Sequence, residues 1–304
     1  MKQHRSVLAL GMFDGVHVGH QALVRQAVQA ARALDARTVA FTFTDAPGKL
    51  LHLPVTSLST PDQRTRWLKE AGADRVDMVD FTRAFADLSP EGFLDYLQDR
   101  YDVAGLAAGF NYTFGKFGAG TARTLKELGE RLGFQVFIAE PVLLDGEPVS
   151  STRIRTLVNE GQMERAGALL GRPYTLSGPV VSARRIGHRL GYPTANVEAG
   201  EQLLPPDGVY ATYALADGVA YPAVTNVGRN PTVAGKQRTV ETYILNEELS
   251  LYGTDLSVSF LSRLREERTF PTLEALSEQI GRDVQTAKKL FDSAKKTVYN
   301  QQGL

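Results

Sequence analysis

The sequence predicts an α/β plus β chain: an N-terminal domain on a parallel sheet, then a C-terminal antiparallel β-barrel with terminal helices. Three observations carry this. Apolar runs alternate with helical patterns through the first half of the chain. Short β-rich runs separated by turn residues dominate after Pro173. A turn rich in Gly and His, residues 11–20, joins the first strand to the first helix, where α/β sheets hold anions.

The elements follow in order. Val7-Leu8-Ala9-Leu10 is a buried strand, and Val24, Ala27, Val28, Ala31 and Leu34 give helical spacing from Gln21 to Leu34. Thr38–Phe43 is the next strand. Thr60-Pro61-Asp62-Gln63 is a capped helix start, with Pro at the first helical position and Gln at the capping-box position. Arg75–Val79, Ala104–Ala108 and Phe134–Ile138 are further strands, and Ser89-Pro90-Glu91 opens a helix through Leu97. Met163–Leu170 is a short connecting helix ended by Gly171. The barrel strands are Tyr174–Val181, Val209–Ala216, Tyr221–Val227, Thr239–Leu245 and Leu256–Leu264. The tail after Thr272 returns to helix in two pieces, with Asp283 capping the second. The expected domains are 1–158, a helical linker at 159–172, and 173–304.

Composition narrows the function. The chain has 304 residues, enough for two domains. Lys plus Arg equals Asp plus Glu at 34 each, which gives no gross charge for nucleic acid or a membrane surface. The absence of Cys excludes disulfides and thiolate chemistry. The N-terminal apolar run is too short for a signal peptide, and no stretch is long enough to span a bilayer, so a cytoplasmic enzyme is expected. Oligomeric state is not legible.

Gly11, Gly15 and Gly19 allow close backbone approach to an anion, and His17 and His20, three apart at a helix mouth, can face one phosphate. Such donors suit a transition state that spreads negative charge over phosphate oxygens. Gly109-Phe110-Asn111-Tyr112-Thr113-Phe114-Gly115 follows the 104–108 strand. Alone it reads as a tight turn with core aromatics. Ser150-Ser151-Thr152, placed before a helix and followed by Arg153 and Arg155, assembles hydroxyls and guanidinium suited to phosphate.

The pattern Gly-x-Phe-Asp-x-x-His-x-Gly-His at 11–20 resembles the signature of the nucleotidylyltransferases. With the turn at 109–115 and the Ser-Ser-Thr-x-Ile-Arg element at 150–155, it resembles the bacterial FAD synthetase module, which adenylylates FMN. That resemblance implies a Rossmann-like domain with His17, His20 and Arg155 as catalytic groups. It implies nucleotide and flavin binding by Gly11, Phe13, Asp14, Gly19, Asn111, Ser150, Ser151 and Thr152.

The second half resembles a riboflavin kinase. Gly178-Pro179-Val180-Val181 precedes Gly187-His188-Arg189-Leu190-Gly191-Tyr192-Pro193-Thr194-Ala195-Asn196. Asn226-Val227-Gly228, Val240-Glu241-Thr242 and Leu251-Tyr252-Gly253 follow. The resemblance implies nucleotide and flavin binding at Gly178, Gly187, Gly191, Thr194 and Asn196. It implies Mg²⁺ on Thr194 and Asn196, and Glu241 as the base for the riboflavin hydroxyl. Ala183, His188, Tyr243 and Asn246 depart from the family pattern. Together the two halves resemble the bifunctional riboflavin kinase/FMN adenylyltransferase family, with riboflavin, FMN and ATP as substrates and FAD as product. Two other readings stand beside it: a nucleotidylyltransferase for another phosphate acceptor, and a flavin-binding regulator with a decayed kinase half.

Overall fold

The computed structural model describes residues 4–45, 47–50, 56–181, 191–232, 235–247, 249 and 251–301. The chain forms two compact units, Met1–Ser151 and Thr152–Leu304.

The first unit runs β1 (Arg5–Leu10), α1 (Val18–Ala33), β2 (Arg37–Phe43), α2 (Pro47–Leu50), α3 (Pro61–Glu70), β3 (Arg75–Val79), α4 (Arg83–Ala86) and α5 (Pro90–Gln98). It continues with β4 (Asp102–Gly109), β5 (Thr113–Phe114), β6 (Gly120–Thr121), α6 (Ala122–Leu132), β7 (Gln135–Ala139), β8 (Leu143–Leu144) and β9 (Glu147–Pro148). Five parallel strands form one sheet in the order β3-β2-β1-β4-β7. Alternate residues of β1 divide between two cores. Val7 and Ala9 pack with Val24 and Ala27 of α1 and Trp67 of α3, whereas Leu8 and Leu10 pack with Phe93 and Leu97 of α5 and Leu128 of α6. The chain winds outward from β1 in one direction and from β4 in the other, so the switch point lies between these two strands. Both motif turns of this unit, 11–20 and 109–115, leave the carboxyl ends of β1 and β4.

Local chemistry sets the helix starts. Thr60 and Gln63 exchange the two bonds of a capping box, and Ser89 Oγ accepts from the Gly92 N–H at 3.0 Å.

The second unit carries α7 (Ser151–Asn159), which begins at the unit boundary, and α8 (Met163–Leu170). It continues through β10 (Tyr174–Val181), β11 (Thr194–Val197), β12 (Gly208–Ala216), β13 (Val219–Thr232), β14 (Gly235–Ile244), β15 (Asp255–Glu266) and α9 (Leu273–Gln301). The six strands close a barrel in the order β10-β11-β14-β13-β12-β15, with every pair antiparallel. The strand β11 was not among the expected runs; four residues are too few to show a period. Inside the barrel Thr212, Thr225 and Thr242 link their hydroxyls at 2.8 and 3.0 Å, satisfying three buried polar groups. Outside it, Val209, Ala211, Tyr213 and Val224 pack against Val284, Ala287 and Phe291 of α9.

The tail is one helix, not two. Asp283 lies inside α9 rather than at a cap, buried to 5% exposure, and its carboxylate takes Arg265 through bonds of 2.8–3.0 Å. Gln279 adds a third donor at 2.8 Å. A carboxylate engaged by tertiary donors has no need of helix-terminal N–H groups. Gly281 just before it costs about 1 kcal/mol of helix propensity without breaking the helix.

Candidate functional site

In the first unit the turn after β1 holds a conformation most residues avoid. Phe13, Gly15 and Val16 all have positive φ, at 51°, 76° and 39°. A non-glycine residue there costs on the order of 1–3 kcal/mol and persists only when its surroundings hold it. Here they do. Phe13 and Val16 are fully buried. Both oxygens of the Asp14 carboxylate accept from the Leu58 N–H, at 2.9 and 3.1 Å, and Oδ1 also accepts from Ser59 Oγ at 3.2 Å. Ser59 Oγ in turn accepts the Gly15 N–H at 3.0 Å. Thr42 Oγ1 donates to Met12 O, and Ser151 Oγ donates to Asp14 O. The buried Arg64 donates to Phe43 O at 2.6 Å. Burial lowers its proton affinity, and the charges of Asp14 and Asp45 oppose that. The Asp14 carboxylate thus fixes the backbone of the turn.

That backbone presents the two histidines. His17 is the N-cap of α1, and its Nδ1 accepts the His20 N–H at 3.3 Å. With Nδ1 accepting, its proton sits on Nε2. The rings of His17 and His20 stack at 3.6 Å and 19°, and Phe13 meets His20 edge-on at 5.3 Å. Gly19 makes room for the pair: a Cβ there would stand 3.2 Å from His17 Cε1 and Nδ1. At Gly11 a Cβ would press on the Phe13 ring at 3.1 Å.

Two cavities meet here. The larger, about 550 Å³, has an aromatic wall that includes Phe43, Phe81, Phe85, Phe93, Tyr112 and Phe114. Burial pushes the Tyr112 phenol above its usual range, so it stays neutral. The smaller, about 250 Å³, is lined by His17, Gly19, Glu140, Pro141, Ser150 and Ser151. His20, Leu23, Gly109 and Asn111 line both. The Asn111 turn, read from sequence alone as tight and core-forming, therefore also borders open space. Ser150 immediately precedes α7, whereas Ser151 and Thr152 are its first two residues; the expected three hydroxyls ahead of the helix reduce to one. Arg155 is half-buried on α7 in the second unit.

In the barrel, β11 and β14 align Thr194 with Tyr243 and Asn196 with Glu241, and β13 places Asn226 opposite Glu241. Opposite residues share a face, so Thr194, Asn196, Asn226, Glu241 and Tyr243 stand together on the barrel exterior. Asn196 Oδ1 is buried with no hydrogen-bond partner among the described residues. Thr194 also lines a cavity of about 330 Å³ with Pro193, Thr242, Glu247, Leu251 and Tyr252, which Asn196 and Glu241 do not reach.

The glycines differ in purpose. At Gly178 a Cβ would collide with the Glu198 carbonyl oxygen, so this residue permits close backbone packing; at Gly191, with φ 81°, a Cβ would meet none of the described residues within 4 Å. Gly187, with Ala183 and His188, lies outside the described residues. Of the other departures, Tyr243 meets Tyr192 edge-on at 5.3 Å beneath α9, and Asn246 takes a left-handed turn with Lys288 Nζ at 3.4 Å.

Sequence reasoning missed Glu267. Its carboxylate occupies the space over Gly228, beside the Asn226 amide. Burial, then the charge of Asp207, raise its proton affinity, with Glu241 adding to this. Gly228 within Asn226-Val227-Gly228 was the available signal. The aromatic wall was missed as well, because its members come from separate elements.

Among the described residues no three His, Cys, Asp or Glu side chains cluster as a metal site, and no helix is long and apolar enough to cross a membrane.

Comparison with known proteins adds the following. A family model described as FAD synthetase matches residues 1–153, and one described as riboflavin kinase matches 170–291. A bifunctional riboflavin kinase/FMN adenylyltransferase of Bacillus subtilis strain 168 is 33% identical over 97% of this chain and 95% of its own length. The protein of the same name from Escherichia coli K12 is 34% identical over 96% and 95%. A crystal structure from Streptococcus pneumoniae described as a macrolide-efflux protein superposes with TM-score 0.86 at 33% identity, covering 94% of both chains.

Proposed function

This chain belongs to the bifunctional riboflavin kinase/FMN adenylyltransferase family, and from that premise we propose how its residues divide the work. It phosphorylates riboflavin to FMN with ATP, then adenylylates FMN with a second ATP to give FAD and pyrophosphate. We assign the second reaction to residues 1–158 and the first to 173–304, joined by the helical segment 159–172. Its substrates are small molecules, and we place it in the cytoplasm without a nucleic-acid or membrane partner.

In the adenylyltransferase site, FMN lays its flat ring in the aromatic cavity and ATP takes the smaller one beside His17, Ser150 and Ser151. His20 and Asn111, on the walls of both, stand where the two substrates meet. A phosphate oxygen of FMN attacks the α-phosphorus of ATP; that P–O bond forms as the bond to the β-phosphate oxygen breaks, and pyrophosphate leaves. His17 Nε2–H, the His20 imidazole and the first N–H groups of α1 meet the charge that develops. Gly11, Phe13 and Gly19 shape the backbone around it, and Asp14 holds that backbone. Ser150, Ser151, Thr152 and Arg155 are assigned to the leaving phosphates. The observation that carries this reading is the stacked His17–His20 pair on the smaller cavity, whose His20 member also lines the larger.

In the kinase site, Glu241 takes the proton from the riboflavin 5′-hydroxyl as its oxygen attacks the γ-phosphorus of ATP. Gly178, Gly187 and Gly191 are assigned to the loops around the nucleotide. The orphaned Asn196 Oδ1 and the Thr194 hydroxyl on the same strand face are hard oxygen donors, as Mg²⁺ requires. Two protein oxygens leave the remaining positions to ATP and water. Bound there, the cation would neutralise charge on the transferring phosphate.

The test is one incubation with riboflavin, ATP and Mg²⁺ followed by separation of the flavins. FAD and pyrophosphate are expected. Unchanged riboflavin would overturn the reading, and FAD from supplied FMN alone would confine activity to the first domain.

A further inference from the structure

One residue beside the aromatic cavity is given no part in either reaction as assigned above. Phe117 is 97% exposed, the most exposed of the large apolar side chains among the described residues. Its backbone is left-handed, at φ 56° and ψ 21°, between Gly115 at φ 72° and Gly118 at φ 67°. Exposing a phenyl ring and holding a Phe backbone in this region are both unfavourable.

The turn that displays Phe117 is firmly anchored. Gly115 packs so closely on Pro90 that a Cβ would stand 2.7 Å from its nitrogen, and the Lys116 N–H donates to Leu88 O at 2.6 Å. Lys116 Nζ is tied to Asp87 at 3.0 Å, and Gly118 N–H closes the turn on Gly115 O at 2.9 Å. Gly115 and Gly118 themselves line the 550 Å³ cavity. The ring of Phe117 is thus mounted on the margin of an aromatic-walled space, and rotation about its own χ1 moves it without unfolding the turn.

We propose that Phe117 is a flavin-binding residue: it turns onto the isoalloxazine ring of FMN held in the larger cavity and stacks on its outer side. This rests on the assignment of that cavity to FMN. A flat, electron-poor ring system seated among aromatics leaves one face or edge to water, and a phenyl ring covering it removes apolar surface of both partners from solvent. The side chain is then exposed only while the cavity is empty of flavin.

The experiment measures steady-state FAD formation from supplied FMN, with the full-length enzyme, for Phe117→Ala, Phe117→Trp and the wall variant Phe85→Ala. Because Phe117 contacts solvent, its replacement leaves the fold intact, which the melting temperature checks. Phe117→Ala raises KM for FMN roughly five- to tenfold, the size of one aromatic contact. KM for ATP and riboflavin phosphorylation stay unchanged, and Phe117→Trp restores the FMN value. An unchanged KM for FMN in Phe117→Ala, with Phe85→Ala raised, overturns the role of Phe117 while leaving the cavity assignment standing. An unchanged KM in both overturns the cavity assignment itself. A changed sedimentation coefficient with unchanged KM would assign the ring to contact between copies, and also overturns the proposal.

Discussion

The two proposed sites are built in opposite ways. The corner around His17 and His20 is a strained turn, with Phe13 and Val16 at positive φ, held by Asp14, Ser59, Thr42 and Ser151. The face around Asn196 and Glu241 lies on regular antiparallel strands, where register alone brings the side chains together. On the proposed assignment, each construction suits its own chemistry. Adenylyl transfer at the α-phosphorus needs N–H donors fixed in space before substrate arrives, and a rigid turn at a helix start supplies them. Phosphorylation of a hydroxyl needs a base and a cation site, and a strand face supplies a carboxylate with oxygen donors at set intervals.

The largest effect is expected at the corner: His20→Ala lowers FAD formation from FMN by roughly 10²–10³-fold, the cost of losing one preorganised donor. Riboflavin phosphorylation by the same variant stays at the level of the unmodified chain. Equal loss of both steps in separate assays would show the two sites to be coupled.

Next comes a test of the second unit's frame. Asp283→Ala leaves Arg265 buried without its carboxylate and destabilises the unit by about 3–5 kcal/mol, read from urea unfolding. A change below 1 kcal/mol would show that the pair does not hold α9 to the barrel.

A smaller effect is expected within the turn. Gly19→Ala places a methyl group against the His17 ring and moves it off its cap, lowering adenylylation by roughly tenfold. Unimpaired turnover would mean the His17–His20 stack tolerates displacement.

The smallest effect concerns Glu267. Burial first, then Asp207 and Glu241, raise its proton affinity in the fold. The folded state therefore favours the protonated form, an advantage present below the ordinary carboxyl range and lost as pH rises through the raised value. Glu267→Gln removes the unfavourable charge, so the melting temperature rises slightly at about pH 8 and is unchanged at about pH 4. A fall at about pH 8 would mean the charge stabilises its surroundings.

Much of this was legible in the chain. The parallel sheet followed from apolar runs between helical patterns, and Thr60-Pro61-Asp62-Gln63 formed the capping box its residues imply. His17 and His20 came together because three-residue spacing at a helix start leaves them little else to do. Other features depend on tertiary partners. Nothing local tells that Asp14 will spend its carboxylate on Leu58 and Ser59, 44 and 45 residues away. Asp283 resembles a cap until Arg265 is known to face it. The wall formed by Phe43, Phe81, Phe85 and Phe93 gathers residues from four places in the chain, and the short β11 shows itself only through its pairing with β10 and β14.

On the proposed division of labour, two chemically independent centres pass FMN from one to the other. Glu241→Gln, assayed alone with riboflavin, ATP and Mg²⁺, should make no flavin nucleotide, and His20→Ala should stop at FMN. The decisive measurement is the mixture of these two variants in one tube: the account predicts that FAD formation from riboflavin returns. A mixture that accumulates FMN without FAD, while Glu241→Gln alone still converts supplied FMN, would contradict it.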